Sequence, residues 1–220
     1  KIGVFHQDFE AQYQTTTDFV SRMFENNLRD IEPYWVCLPM GSRCAVSNYQ
    51  MYWYPWDPDK EELWVRPMPK MPYIINMDNN PFDFYRYKMV QEDLYAEFGE
   101  WYSRQKKGKT ICLLGIRADE SLNRYRAYAN DRKTIMQGNQ WTTKMGENWW
   151  NAYPIYDWTT KDVWIANGKF DYDYNRIYDL FWKAGLSISQ MRVASPYHES
   201  AKESLNLYRV LEPADRKSVV

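Results

Sequence analysis

The side chains best suited to chemistry in this sequence follow a short apolar run, Ile111 to Leu114. They are, in order, Gly115, Arg117, Asp119, Glu120, Ser121 and Arg124. A strand that turns through a glycine into a helix often borders a nucleotide pocket, because the helix N-terminus offers unpaired N–H groups to an anion. Two guanidinium groups at that point can bind the same anion through planar pairs of donors. The spacing therefore predicts a binding site for a phosphate or sulfate group.

Asp8 and Glu10 form a second candidate group, directly after the strand predicted at Ile2 to His6. Ligands of open α/β sheets bind beyond the carboxyl ends of the strands, so these carboxylates are expected at the same edge as the arginines. Asp8 is interpreted as a contact to a ribose or a metal ion, or as a turn or helix cap. Glu120 is interpreted either as a favourable charge in the first turn of a helix or as a partner that orients Arg117 or Arg124. The alternative to anion binding for the two arginines is a solvated surface pair.

The elements that must position these residues alternate between strands and helices. Strands are predicted at residues 2–6, 34–38 and 110–114, with a short extended piece at 152–156 after a loop at 144–151. Helices are predicted at residues 15–26, 91–106, 119–130, 176–184 and 199–207. Thr159 is predicted to cap a further helix, with Asp162 in the capping-box position. This order indicates an α/β fold with a mainly parallel twisted sheet, helices on both faces, and a third strand buried on both sides.

Residues 40–81 interrupt this alternation with a long irregular segment that is rich in Pro, Trp, Tyr and Met. A loop of that length in a compact domain is usually functional or an insertion. Its many aromatic rings favour a packed lobe over a disordered one, because disordered segments are poor in aromatic residues. The 220 residues are therefore interpreted as one domain with an aromatic and Pro-rich insertion.

Composition narrows the class of protein. The 28 Lys and Arg residues nearly balance 29 Asp and Glu residues, so no global basic charge favours nucleic-acid binding. The aromatic residues are interpreted mainly as packing, with stacking on a nucleotide base as the alternative. Three cysteines and two histidines are too few for a disulfide scaffold, a zinc site or an iron–sulfur cluster, and they indicate a reducing cytoplasm. No apolar run is long enough to span a membrane, and no signal peptide is visible.

Four stretches of the sequence resemble, in order, motifs of the phosphoadenosine phosphosulfate (PAPS) reductase family of adenine nucleotide alpha-hydrolase-like proteins. They are Val4 to Thr17, Gly115 to Arg124, Tyr153 to Trp164 and Tyr174 to Asp179. The second matches the family's Gly-hydrophobic-Arg…Glu/Gln-Ser…Arg motif, and the third matches its Pro-hydrophobic…Trp…Asp-Val-Trp helix entry. The first contains Asp-x-Glu-Ala-Gln and is similar to the subgroup of the immunoglobulin-binding regulator A proteins.

The resemblance implies nucleotide binding within sulfur metabolism, with ATP or PAPS as the ligand and an oxidoreductase or transferase reaction. In that reading, Arg117 and Arg124 hold the phosphate or sulfate end of the nucleotide. Asp8 lies near the ribose or a metal ion. Trp158 or Tyr153 lines the pocket.

The resemblance further implies a pyrophosphate-binding Ser-Gly-Gly-Lys-Asp-Ser loop just upstream of Lys1, where the sequence starts inside a predicted strand. We therefore expect the 220 residues to be a fragment without this loop. No Gly-rich phosphate loop occurs within them. Cleavage of ATP between its α- and β-phosphates would need the loop and Mg²⁺, but no cysteine.

The reductases that this chain resembles use a cysteine thiolate to attack the sulfonate sulfur, and the sequence departs from that pattern. Residues 189–195, which correspond to a cysteine-bearing region of the iron–sulfur enzymes, contain no cysteine. The sequence therefore leaves open whether the chain is an enzyme or a non-catalytic regulator that acts with a ParB-like protein partner. Sulfur transfer to DNA or RNA is a third alternative, to which the net charge of −1 gives little support.

Overall fold

The computed structural model describes residues 1–130, 132–198, 201 and 204–213. The strands are β1 (Ile2–Gln7), β2 (Ile31–Val36), β3 (Ser42–Arg43), β4 (Tyr52–Trp53), β5 (Ile74–Ile75), β6 (Thr110–Leu113), β7 (Thr142–Lys144) and β8 (Trp149–Ala152). The helices are α1 (Gln14–Asn27), α2 (Gln91–Lys106), α3 (Leu122–Ala129), α4 (Thr160–Phe170), α5 (Ile177–Lys183) and α6 (Leu205–Leu211). Strands and helices mix along the chain, and the fold is therefore α/β, as predicted.

The chain divides into two compact units. The first contains Lys1–Pro81, Arg86–Gln91 and the described residues from Tyr174 onward. The second contains Phe82–Tyr85 and Glu92–Asp173. Each unit is defined by the contacts within it. The expectation from the sequence that the 220 residues form one domain stays a prediction.

The sheet of the first unit has the strand order β1-β2-β5, and its strands are parallel. Two parallel neighbours need a crossover connection, and α1 supplies it between β1 and β2. The strand predicted at 2–6 and the helix predicted at 15–26 are confirmed to within one residue at each end. The second strand lies at Ile31–Val36 instead of 34–38, because its pairing with β1 begins at Ile31.

Aromatic residues form the core of the first unit. Phe24, Trp35 and Trp56 pack with Cys37 and Ile74 in one buried cluster. Three of these residues (Trp56, Ile74 and Cys37) come from the chain that follows β2. The segment 40–81 is therefore packed: it supplies the β3–β4 hairpin, a 3₁₀ helix at Pro58–Leu63 and the third strand of the sheet.

The sheet of the second unit has the order β6-β8-β7, with β6 parallel and β7 antiparallel to the central strand. The sequence-based loop at 144–151 is wrong, because Trp149–Ala152 forms the central strand. Residues 154–157 form a turn after that strand, so the strand or extended piece predicted at 152–156 is confirmed only at Ala152. The burial expected for the third strand is also wrong: β6 lies at a sheet edge, and Ile111 and Leu113 are 48% and 66% exposed.

The helix predicted at 119–130 is interrupted. A 3₁₀ turn covers Ala118–Glu120, Ser121 is extended with φ −170°, and α3 begins at Leu122. Further along the chain, the capping box of α4 is confirmed, because the Thr159 side chain accepts from the Asp162 N–H and Asp162 accepts from the Thr159 N–H.

The two last helices complete the first unit. The helix predicted at 176–184 is found at Ile177–Lys183, and Gly185 follows it with φ +82°, a conformation that suits glycine. The helix predicted at 199–207 falls in part on residues 199–200 and 202–203, which lie outside the described residues. The helix present there, α6, spans Leu205–Leu211. In the part of the chain that the structure describes, no helix is both long and apolar enough to cross a membrane.

Candidate anion-binding site

Arg117 is held in place at the carboxyl end of β6 by a closed ring of hydrogen bonds. Its Nε donates to Asp119 Oδ1 at 3.2 Å, and its terminal NH2 nitrogen donates to Thr160 Oγ1 at 3.0 Å. The backbone N–H of Thr160 donates to the other Asp119 oxygen at 3.1 Å, which closes the ring. The Arg117 side chain is only 14% exposed, so these bonds fix a largely buried guanidinium beside the N-terminus of α4.

Glu120 lies between the two arginines of the motif. Its Oε1 is 3.5 Å from the NH2 nitrogen of Arg117, and its Oε2 is 2.8 Å from the Nε of Arg124. Glu120 belongs to the 3₁₀ turn before α3, so it is not a first-turn residue of that helix. The structure therefore brings Arg117, Glu120 and Arg124 together as one alternating cluster of charges.

Arg124 keeps donors for a ligand. Only its Nε pairs with Glu120, and its two terminal nitrogens donate to no atom of the described residues. The side chain is 47% exposed. A planar fork with two unpaired nitrogens is suited to bind two oxygens of a phosphate or sulfate group.

Ser121 and Gly115 have structural positions that differ from those expected. Ser121 caps α3, because its hydroxyl accepts from the backbone N–H of Arg124 at 3.3 Å. That bond occupies one of the N–H groups expected to face an anion. The φ angle of Gly115 is not positive, and a Cβ on this residue would lie 3.9 Å from Ile155, which is an ordinary contact. A side chain at this position would therefore cause no Cβ clash, and a part for Gly115 in binding the anion stays a prediction.

A narrow cleft adjoins Arg124, with about 180 Å³ of empty space including its open mouth. Its walls are Ile116, Ala118, Arg124, Tyr128, Tyr153 and Tyr156. The rings of Tyr128 and Tyr156 stack with centroids 4.1 Å apart, and their side-chain hydrogen bond raises the pKa of Tyr156. Tyr153 lines this cleft, whereas Trp158, the other ring expected there, is not among its walls.

Lys133 holds the backbone at Tyr128, one of the walls of the cleft. Its ammonium group donates to the backbone oxygens of Tyr128 and Gln140 at 2.6 and 2.5 Å, and it lies 5.2 Å from the Tyr128 ring centroid. Burial lowers the pKa of this lysine. Because its ammonium group is engaged in this way, Lys133 fixes the wall and is no candidate for holding the anion.

Asp8 and Glu10 belong to the first unit, where both carboxylates bind protein groups. Asp8 is fully buried and accepts from the Arg66 guanidinium, from the indole N–H of Trp35 at 3.0 Å and from the Glu10 N–H at 2.8 Å. Each Glu10 oxygen accepts a backbone N–H, from Trp56 at 2.7 Å and from Val65 at 2.9 Å. These contacts fasten residues 56–66 to the end of β1. The role of either carboxylate at a ribose or a metal ion stays a prediction.

Burial dominates the electrostatics around this pair. It lowers the pKa of His6 to about 4, with a smaller opposing effect from Asp8, and the His6 Nε2 finds no hydrogen-bond partner among the described residues. Burial likewise raises the pKa of the Glu10 carboxyl and of the Cys37 thiol. The His6 ring is therefore neutral near pH 7, and the Cys37 thiolate is strongly disfavoured.

Sequence reasoning missed several residues of the site. Thr160 orients Arg117, and the stacked tyrosines Tyr128 and Tyr156 form the cleft. Asp119, which also orients Arg117, was among the polar residues expected at this strand end, but without that role. Thr160 is 43 residues from Arg117 along the chain, and only the folded structure brings them together. In the described residues, no group of three or more His, Cys, Asp or Glu side chains is arranged to hold a metal ion.

Comparisons with known proteins show that this chain is similar to a curated protein and that part of it matches a family model. It is 36% identical over 216 residues to the uncharacterized protein YbdN of Escherichia coli (strain K12). That similarity covers 97% of this chain and 52% of YbdN, so the chain spans about half the length of the curated relative it matches. A family model described as a domain of unknown function (DUF3440) matches residues 185–220. No solved structure matches the chain.

Proposed function

We propose that this chain is an adenine-nucleotide-binding domain of the PAPS reductase-like class, with ATP or PAPS as its ligand. The observation that carries the proposal is the position of Arg117 and Arg124 beside an aromatic cleft, at the carboxyl end of a parallel strand. Ligands of α/β sheets bind at that end of the strands. The adenine nucleotide alpha-hydrolase-like fold, a cytoplasmic location and a part in sulfur metabolism belong to the same proposal.

The two arginines have different parts in this binding. Arg117 is oriented in advance by Asp119 and Thr160, so little side-chain entropy is lost when it meets an anion. Arg124 is more exposed and brings its two terminal nitrogens to the same group. Donors that are fixed in advance, as those of Arg117 are, stabilise a negative charge without rearranging. The anion is the phosphate or sulfate end of the nucleotide.

The cleft is small for a complete nucleotide. Its space of about 180 Å³ includes the open solvent at its mouth, and the cleft encloses no volume that would hold a water molecule. It therefore borders the ligand and does not enclose it. The Ser-Gly-Gly-Lys-Asp-Ser loop that the family resemblance implies, together with Mg²⁺, would bind the remaining phosphates in an ATP-cleaving reaction.

Calorimetric titration of the full-length protein with ATP and with PAPS tests this function. Replacing Arg117 by Ala removes charge-assisted hydrogen bonds, so we expect about 10- to 100-fold weaker binding. Arg104→Ala is the matched control, because Arg104 is an exposed arginine of the same unit that pairs with Asp83. Failure of both nucleotides to bind the wild-type protein would overturn the proposal.

A second candidate, a non-catalytic regulator that keeps the nucleotide site and acts with a ParB-like partner, is favoured by the state of the thiols. Burial raises the pKa of both Cys37 and Cys112, and thiolates are the form that attacks sulfur. Turnover assays with ATP, with PAPS and with a thiol donor separate the candidates. Product formed at a rate proportional to protein concentration would exclude the purely regulatory function.

A further inference from the structure

The carboxylate of Glu120 occupies the position between the arginines that an anionic ligand would need. Its two oxygens point to different guanidinium groups, at 3.5 Å from Arg117 and 2.8 Å from Arg124. A phosphate or sulfate oxygen uses the same N–H donors as a carboxylate oxygen. We propose that Glu120 is a resident anion that competes with the ligand for Arg117 and Arg124 and so limits the affinity of the site; this inference rests on the proposed function.

Arg117 does not depend on Glu120 for its orientation. Asp119 and Thr160 hold two of its nitrogens at 3.2 and 3.0 Å, which is closer than the 3.5 Å to Glu120. Asp119 also accepts the backbone N–H of Thr160, so it is anchored independently of the arginine. The two acidic neighbours of Arg117 therefore act differently: Asp119 is a positioning residue, and Glu120 is a competitor.

Arg124 is the part of the cluster that can exchange partners. It is partly exposed and held by Glu120 through a single nitrogen, so it can turn its fork toward a ligand by changing only its own side-chain rotamer. Glu120 is itself only 24% exposed, so solvent does not fully screen its charge. When a ligand's anion arrives, its charge and that of Glu120 lie close together and repel each other. Neutralising Glu120 removes this repulsion and frees a donor.

The experiment compares Glu120→Gln with Asp119→Asn in the full-length protein, by calorimetric titration with ATP, PAPS and inorganic pyrophosphate. Both changes replace a carboxylate next to Arg117 by an amide of the same shape. We expect Glu120→Gln to tighten binding by about fivefold, the change that one partly exposed charge pair supplies. We expect Asp119→Asn to weaken binding, because Arg117 loses its charged partner. Adding Arg124→Ala to Glu120→Gln should abolish the gain.

The outcomes separate the inference from the function on which it rests. If the wild-type protein binds a nucleotide and Glu120→Gln binds it equally or less tightly, the competition is refuted and the nucleotide site stands. If neither protein binds any of the three probes, the proposed function fails and the inference fails with it. Glu120→Ala repeats the test should the glutamine variant not fold, and its expected effect has the same sign.

Discussion

A buried ion pair fixes the end of the first strand. Asp8 is fully buried, and Arg66 reaches it from the segment 40–81 while also donating its Nε to the Glu10 backbone oxygen at 2.8 Å. The Arg66 guanidinium lies 5.0 Å from the Trp56 ring centroid, which adds a cation–π contact. Pairs of this kind are most costly when one partner is removed, because the remaining charge is buried without compensation.

Replacing Arg66 by Met should therefore destabilise the protein by about 3 kcal/mol, since Asp8 would remain buried with only its N–H donors. Urea unfolding followed by tryptophan fluorescence measures this loss. Arg104→Met is the control, because it breaks the exposed pair with Asp83, for which about 0–1 kcal/mol is expected. Equal losses in the two variants would contradict a structural role for the Asp8–Arg66 pair.

His6 should make stability depend on pH. Its pKa is about 4 in the folded protein and 6.5 as the ordinary value, because burial disfavours the charged ring. The unfolded chain therefore binds a proton at pH values where the folded chain does not. Stability is lost as the pH falls from 6.5 to 4, by about 3 kcal/mol in total.

Replacing His6 by Phe keeps a ring against Trp35 and removes the titration. Urea midpoints measured between pH 7 and pH 4 should then fall less steeply in this variant than in the wild type. His198→Phe, at the exposed histidine, is the control for the substitution of a histidine by phenylalanine. A His6→Phe profile parallel to that of the wild type would refute this assignment.

Gly99 and Gly168 both lie inside helices, but only Gly99 is closely packed against another side chain. Gly99 lies in α2 against the Trp149 indole, and a Cβ there would collide with the ring. This close approach brings α2 against Trp149 of the central strand β8. Gly168 lies in α4, and no atom is within 4 Å of the position that its Cβ would take. Helix propensity favours alanine at both positions, but packing opposes it only at the first.

Gly99→Ala should therefore destabilise the protein by about 1–3 kcal/mol, because the indole of the central strand must shift. Gly168→Ala should stabilise it by about 0.5–1 kcal/mol through helix propensity alone. Thermal unfolding followed by circular dichroism compares the two identical substitutions. A stabilising effect of Gly99→Ala would mean that Trp149 does not pack closely on α2.

The three cysteines lie in different parts of the molecule and differ in burial. All are free, and Cys37 is fully buried, whereas Cys44 and Cys112 are half-buried. Burial raises the pKa of Cys37 and of Cys112. Because the thiolate is the reactive form, the folded protein should react slowly with a thiol reagent at Cys112 and not measurably at Cys37.

Titration with Ellman's reagent should detect fewer than three fast-reacting thiols in the folded protein and all three in denaturant. Cys37→Ala should leave the reactivity of the folded protein unchanged and lower the number found in denaturant to two. Three fast-reacting thiols under native conditions would show that the core around Trp35 opens readily.

Local patterns were sufficient to predict helices α1, α2 and α5 and the first strand. Helix α2 and the capping box of Thr159 and Asp162 depend on residues a few positions apart, and the structure has them where they were expected. The strand at Trp149–Ala152 was missed, because it is short and has no alternation of polar and apolar residues. Its strand conformation depends on β6 and β7, which pair with it on both sides.

The sequence by itself determined the α/β class. It also determined the cluster of Arg117, Glu120 and Arg124, because these residues are three and four positions apart along the chain. Only the tertiary structure decided which groups distant in the sequence Arg117, Asp8 and Glu10 contact. It joined Arg117 to Thr160 and gave Asp8 and Glu10 to Arg66 and the chain around it. The physical reason is that a buried charge must find its partners wherever the folded chain supplies them, at any distance along the sequence.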